Sequence, residues 1–172
     1  MRVGILFLIN ICLTNTLQEA YNEASSYENY EKYVILEPDQ TYYGGLGIYE
    51  GDVFIDCQGS IIDLQNQNGI WVYADEDYLA TLDIQYCNII NGAYYGLSYS
   101  GIASGTITNC NFYNNDIGIK PFDYSEVHIE NCNFINNITY GLGIIGEYSN
   151  VTVNYSNSWG CENGDYWENC PG

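Results

Sequence analysis

The sequence predicts an all-β fold: a right-handed parallel β-helix, a solenoid of about five to six short coils. Three observations carry this expectation. Similar segments recur at Asp56-Cys57-Gln58, Tyr86-Cys87-Asn88-Ile89-Ile90-Asn91, Asn109-Cys110-Asn111-Phe112-Tyr113-Asn114 and Asn131-Cys132-Asn133-Phe134-Ile135-Asn136, with cysteines 30, 23 and 22 residues apart. A second mark keeps step with the first, at Gly69-Ile70, Gly96-Leu97, Gly118-Ile119 and Gly141-Leu142, spaced 27, 22 and 23. Two marks sharing one period mean stacked units, each burying its apolar face against its neighbours. Between the marks, apolar residues alternate in bursts of three to five, the period of short strands, and no window sustains a 3.6-residue helical stripe. A leucine-rich solenoid has a similar repeat length, but the inward positions here are Ile, Val, Phe and Cys and the L-x-x-L-x-L frame is missing. Handedness is expected from the general preference for right-handed crossovers.

Met1-Arg2 is a short basic start, Val3 to Leu13 is almost wholly apolar, and Thr14 to Ala20 is polar. Residues 1–20 therefore read as a secretory leader, too short to span a bilayer as a mature helix. A buried N-terminal strand is the competing reading, since no A-x-A cleavage site is visible. The expected location is secreted, extracellular or cell-surface, with no membrane insertion once the leader is removed. Residues 21–32 are rich in Glu, Tyr and Ser without periodicity and read as a flexible acidic lead-in. The β-helix domain is expected over 33–172. Tyr33-Val34-Ile35-Leu36 reads as a strand closed by Glu37-Pro38-Asp39, and Gly44-Gly45 marks a turn before Leu46-Gly47-Ile48-Tyr49.

Repeats then align as 54–80, 81–105, 106–127 and 128–150, with an abbreviated coil and closing cap from about 151. In the fourth repeat, Val127, Ile129, Cys132, Phe134, Leu142 and Ile144 are expected inward, and His128, Glu130, Asn133 and Gly143 outward. Asn91, Asn114 and Asn136 form one expected ladder, and Asn88, Asn111, Asn133 and Asn157 another. Asparagine tolerates the left-handed conformation of a sharp bend and can bond from coil to coil. The marker glycines suit a close bend before the third strand of each coil.

The formal net charge is −19. Beyond residue 20, Lys32 and Lys120 are the only bases and no arginine remains. Such a surface repels nucleic acid and anionic lipid, which need Lys or Arg to neutralise phosphate. Acidic polysaccharides meet the same repulsion unless a divalent cation intervenes. Cys161 and Cys170 flank a loop containing Gly and Asn and are the expected disulfide of an exported protein. For Cys57, Cys87, Cys110 and Cys132, equivalent positions on adjacent coils sit ~4.8 Å apart, compatible with disulfide geometry. Side chains in register nevertheless lie side by side, so a buried stack of thiols is favoured and bridging stays the open alternative.

The run Ile55-Asp56-Cys57-Gln58-Gly59-Ser60-Ile61-Ile62, then Asn68-Gly69-Ile70 and the N-C-N-F-x-N-N…G-I/L coils, resembles the pectate-lyase-like right-handed β-helix superfamily. It is closest to Asn-rich repeat proteins of microbial surfaces that look noncatalytic. Asn157-Ser158-Trp159-Gly160-Cys161 is similar to the N-x-W-G motif that often closes such helices. The resemblance covers roughly residues 33–170. It implies the fold strongly and an activity weakly, because the superfamily includes lyases, hydrolases, epimerases and binding scaffolds.

Pectate lyases of this fold use Arg or Lys as base with calcium held by acidic residues, and Lys120 is the one candidate within the repeats. A catalytic lysine needs burial or a neighbouring cation to lower its pKa; acidic surroundings favour the ordinary charged form. Hydrolysis would need grouped carboxylates, yet no pair stands out among Asp116, Asp123, Glu126 and Glu130, and the lone His128 reads as a surface residue. Asp75 and Asp77, in the expanded loop of the longest repeat, are calcium candidates beside the plainer reading of a solvated loop. Tyr94, Tyr95, Tyr99, Tyr113 and Tyr140 are candidates for stacking on sugar rings. Asn137-Ile138-Thr139, Asn150-Val151-Thr152 and Asn154-Tyr155-Ser156 match the N-glycosylation pattern. The leading expectation is thus a noncatalytic structural, adhesive or carbohydrate-binding protein, whose partner is a polysaccharide or cell-surface glycan. A calcium-dependent polysaccharide lyase or glycoside hydrolase and an end-to-end self-assembling fibre or surface-layer subunit are the alternatives.

Overall fold

The computed structural model describes residues 15–146 and 148–166; most of the expected leader and Cys170 lie outside them. Six coils follow one another. The first contains β1 (Lys32–Ile35), β2 (Thr41–Tyr43) and β3 (Leu46–Ile48), and the second β4 (Gly51–Asp56), β5 (Ile61–Asp63) and β6 (Ile70–Ala74). The third contains β7 (Ala80–Gln85), β8 (Asn88–Ile90) and β9 (Leu97–Gly101), and the fourth β10 (Ser104–Thr108), β11 (Asn111–Tyr113) and β12 (Ile117–Pro121). The fifth contains β13 (Glu126–Glu130), β14 (Asn133–Ile135) and β15 (Tyr140–Leu142), and the sixth β16 (Asn150–Asn154) and β17 (Asn157–Trp159). Every third strand pairs in parallel, giving three sheets: β1-β4-β7-β10-β13-β16, β2-β5-β8-β11-β14-β17 and β3-β6-β9-β12-β15. The expected parallel β-helix is therefore the observed architecture.

Register explains the alternation. Val34, Ile55, Ile84, Ile107 and Ile129 form one continuous inward column, and Ile62, Ile89, Phe112 and Phe134 another; all are buried. Phe112 and Phe134 stack at 5.4 Å between ring centroids. The six residues expected inward in the fifth coil, from Val127 to Ile144, are all buried. The marker glycines sit where coils approach too closely for a side chain: a Cβ on Gly69 would meet the Tyr95 carbonyl at 2.1 Å.

The first expected asparagine ladder to be described is hydrogen-bonded throughout, from Asn157 to Asn88, and the other between Asn114 and Asn91. Asn111 donates to Asn88 at 2.8 Å, Asn133 to Asn111 at 2.9 Å and Asn157 to Asn133 at 3.4 Å. Asn114 donates to Asn91 at 2.8 Å, and Asn91, Asn114 and Asn136 all have positive φ. A third ladder, absent from the sequence reading, is buried. The Asn115 oxygen accepts from the Gly92 amide at 2.8 Å, while its Nδ2 donates to the Ile89 carbonyl at 3.1 Å and to the Asn137 oxygen at 3.2 Å. Asn137 likewise donates to the Phe112 carbonyl. Burial and these bonds close the Asn137 sequon to modification in the folded chain, whereas Asn150 and Asn154 are exposed.

Three expectations change. Residues 21–32, expected as an irregular lead-in, hold the last three residues of α1 (Leu17–Glu23), a helix that begins within the expected leader and is opened by a capping box between Thr16 and Glu19. Leu17 is fully buried, with Ala20, Tyr21 and Ala24 packed against the core. The helix therefore covers the N-terminal end of the stack, where β1 would otherwise expose apolar side chains. Seven residues are too few for a helical period to stand out in sequence. Cleavage after Ala20 would fall inside this helix.

The four-cysteine thiol stack is also revised: Cys57 and Cys87 form a disulfide with Cα atoms 4.9 Å apart, while Cys110 and Cys132 are buried free thiols. Register gives the reason. The Ile61–Asn88 register puts Ser60, not Cys57, beside Cys87, because the turn Cys57–Ser60 holds two residues more than its later counterparts. Cys57 thus approaches Cys87 from a neighbouring position rather than standing above it. Burial pushes the Cys110 thiol well above its ordinary pKa, so it stays protonated at neutral pH.

Tyr99, expected as a sugar-stacking residue, is the third change: it points inward and is fully buried, donating to the Leu82 carbonyl at 2.7 Å. Room for it comes from Gly105, where a Cβ would lie 2.9 Å from the Tyr99 hydroxyl.

Candidate functional site

Columns that repeat the same residue hold the stack together; the outer face of the third sheet repeats nothing. Its first outward row runs Gly47, Trp71, Ser98, Lys120. The next row pairs Tyr73 with Ser100, and Tyr49 lies one residue beyond β3. Alternation dictates this exposure, because Ile70 and Val72 face inward and turn Trp71 and Tyr73 out.

Tyr49, Trp71 and Tyr73 form an aromatic wall. Tyr49 meets Trp71 edge-on at 5.6 Å and 80°, and Trp71 lies 6.1 Å from Tyr73. The indole Nε1 donates to Ser100 Oγ at 2.7 Å. Trp71 stands in register with Ser98 but bonds to Ser100, so the indole leans across β9; this accounts for the complete burial of Ser98. Ser98 Oγ has no hydrogen-bond partner among the described residues. The pinned indole has one fixed orientation, which lowers the entropy lost when a ring stacks on it. Gly47 gives Tyr49 room to fold back, since a Cβ there would sit 2.8 Å from the Tyr49 ring.

Against this wall opens a cleft of about 500 Å³ lined by Gly45, Tyr49, Gln67, Asn68, Trp71 and Tyr95 among others. It combines apolar ring faces with amide donors and acceptors, the chemistry that grips a sugar's C–H face and its hydroxyls. Burial, helped by neighbouring Tyr49, raises the Tyr95 pKa, so its hydroxyl keeps its proton for donation.

Of the residues singled out in sequence, only Tyr95 belongs to this cleft. Tyr94 is exposed in the same turn, Tyr113 is exposed on the second sheet beside Asn88 and Asn111, and Tyr140 is half-buried on β15. Lys120 projects from β12 with its Nζ 5.8 Å from the Phe122 ring centroid. His128 shares a 2.6 Å hydrogen bond with Thr152. Asp75 Oδ1 accepts from the amides of Asp77 and Tyr78 at 3.0 and 2.9 Å, so this carboxylate organises its own loop. Among the described residues no three His, Cys, Asp or Glu side chains group as metal ligands. Cys161 lies 3.8 Å from Ser158 Oγ, and its expected partner Cys170 lies outside the described residues. Tyr49, Gln67, Asn68, Trp71 and Tyr73 were not singled out in sequence, although the strand phase from Ile70 onward marks Trp71 and Tyr73 as outward.

The family model for right handed beta helix regions matches residues 43–170. No curated protein and no solved structure matches the chain.

Proposed function

The chain belongs to the right-handed β-helix family, and we propose that it is an exported, noncatalytic member that binds a neutral polysaccharide or cell-surface glycan on the outer face of its third sheet. The observation that carries this reading is the Tyr49–Trp71–Tyr73 wall, with its indole pinned to Ser100 beside a cleft containing Gln67 and Asn68. A neutral ligand follows from a net charge of −19 and from the absence of a cation in that cleft's lining. Export is supported by the Cys57–Cys87 disulfide, which suits an oxidising compartment. The noncatalytic reading is supported by Lys120 and His128, whose side chains engage Phe122 and Thr152 rather than a shared reactive centre.

Affinity electrophoresis through gels containing neutral or acidic polysaccharides, with and without calcium, tests it. At least one neutral polysaccharide is expected to retard the wild type, and Trp71→Ala is expected to abolish retardation while leaving the melting temperature within about 2 °C, as for a surface change. Equal retardation of Trp71→Ala and wild type would remove the wall from the proposal. Release of new sugar ends from any of these polysaccharides would replace it with the lyase or hydrolase alternative.

A further inference from the structure

A second cleft, of about 430 Å³, opens on the other side of Tyr49 and has a different chemistry. Four phenol rings line it: Tyr21 from α1, Tyr49 after β3, Tyr73 near the end of β6 and Tyr78 from the following loop. Two carboxylates, Glu50 and Asp75, join them. Two carboxylates repel an anion, and beside four ring faces they add a negative field that a neutral sugar leaves uncompensated and a cation does not. Aromatic faces carry negative potential, and rings combined with carboxylates attract a cation whose charge is spread over apolar surface.

From this composition we propose that the second cleft is an aromatic cage for a methylated ammonium group, of the kind that choline carries. Ring number sets the choice within cations. A primary ammonium needs directed hydrogen bonds, whereas a trimethylammonium offers no N–H and binds through ring faces and charge.

The surroundings agree. Asp75 Oδ1 holds the amides of Asp77 and Tyr78, fixing the loop that presents the Tyr78 ring. Asp75 Oδ2 lies 3.5 Å from the Tyr73 hydroxyl. Burial first, then the charges of Glu50 and Glu31, raises the Tyr21 pKa, which reports the negative field at this wall. Lys32 is the nearby base. Its Nζ donates to the carbonyls of Asn22 and Ala24 and lies 5.4 Å from the Tyr21 ring centroid, so it is already committed to the end of α1. A chain carrying −19 also concentrates cations at its surface.

Isothermal titration of the full chain with choline chloride tests the cage, with the neutral tert-butyl isostere of choline, glucosamine hydrochloride and phosphocholine as the other arms. Choline is expected to bind at least about tenfold more tightly than the isostere and than glucosamine, the size of one to two cation–ring contacts. Tyr73→Leu and Tyr78→Leu are each expected to weaken choline about tenfold, with Gln67→Ala, at a position lining only the glycan cleft, unchanged. That last arm separates this cage from the glycan cleft, so either reading can fail alone. Equal phosphocholine affinity would point to a phosphocholine-bearing surface as the source of the group, and much weaker affinity to free choline-like compounds. Binding of the isostere as tightly as choline, preference for glucosamine, or no heat with choline at tens of millimolar would each overturn the proposal.

Discussion

The corner after the second sheet and the outer face of the third sheet are built from the same coils, yet they obey opposite rules. At the corner, Asn114 and Asn136 occupy one column and the buried Asn115 and Asn137 the next, and the residue hardly changes from coil to coil. On the outer face, one column reads Gly47, Trp71, Ser98, Lys120 and no residue recurs. Repetition marks a backbone demand that every coil shares: a left-handed bend and buried amides needing partners. Variation marks positions that the stack leaves free, and there a coil can acquire chemistry of its own.

Substitutions can break this contrast. The largest loss is expected inside the repeated core. Phe134→Ala opens a cavity beside Phe112 and should cost ~3–5 kcal/mol in chemical denaturation. Asn133→Ala, on the outer side of the same strand, should cost ~1 kcal/mol; equal losses would show that the inward–outward phase is misassigned. At the corner, Asn115→Ala should cost about 3 kcal/mol, because it strands the buried Gly92 amide and Ile89 carbonyl. Its exposed neighbour Asn114→Ala should lose about 1–2 kcal/mol, from one ladder bond and an alanine held at φ 54°. A reversed order would mean that the buried ladder is dispensable.

On the variable face, Trp71→Ala should change stability by less than about 1 kcal/mol while removing glycan binding. The smallest effect belongs to Tyr30, which donates to Asp83 at 2.6 Å and whose pKa is thereby raised to about 12. A raised tyrosine pKa stabilises the protonated folded form fully below about pH 10 and loses that contribution as pH climbs towards 12. Tyr30 is half-buried and its bond to Asp83 is within reach of solvent, so the loss is small; Tyr30→Phe should reduce the slope of the alkaline stability profile between those values. An unchanged slope would detach Tyr30 from it.

These comparisons also explain what the sequence revealed. Glycine and asparagine marks announced the coil period because the backbone demands them at close approaches and left-handed bends, and cysteine because it fills a small buried position beside each bend. Trp71 and Tyr99 were decided by phase alone: Ile70 turns Trp71 outward, and Leu97 turns Tyr99 inward. Tyr99 was therefore legible as core, and its choice as a sugar contact ignored the alternation. Cys57 misled because two extra turn residues moved it out of the column that Ser60 occupies. The aromatic cleft of Tyr21 and Tyr78 left no local signal, since it joins a short helix to a loop more than fifty residues away.

The asparagine ladders also have a direction. Each side chain in the Asn157–Asn133–Asn111–Asn88 series hands its hydrogen to the coil before it, and Asn88 ends on the carbonyls of Gly59 and Ser60. The corner series ends on Asp63, whose carboxylate oxygen accepts from Asn91 and where the next link would need an amide donor. The solenoid is thus a one-way zip with a built-in stop at its N-terminal side. Gene duplication can lengthen it by copying an interior coil whole, because a copied asparagine both gives and receives. A coil spliced ahead of Asp63 would meet a residue with no side-chain amide to give, and the zip would not close across the joint.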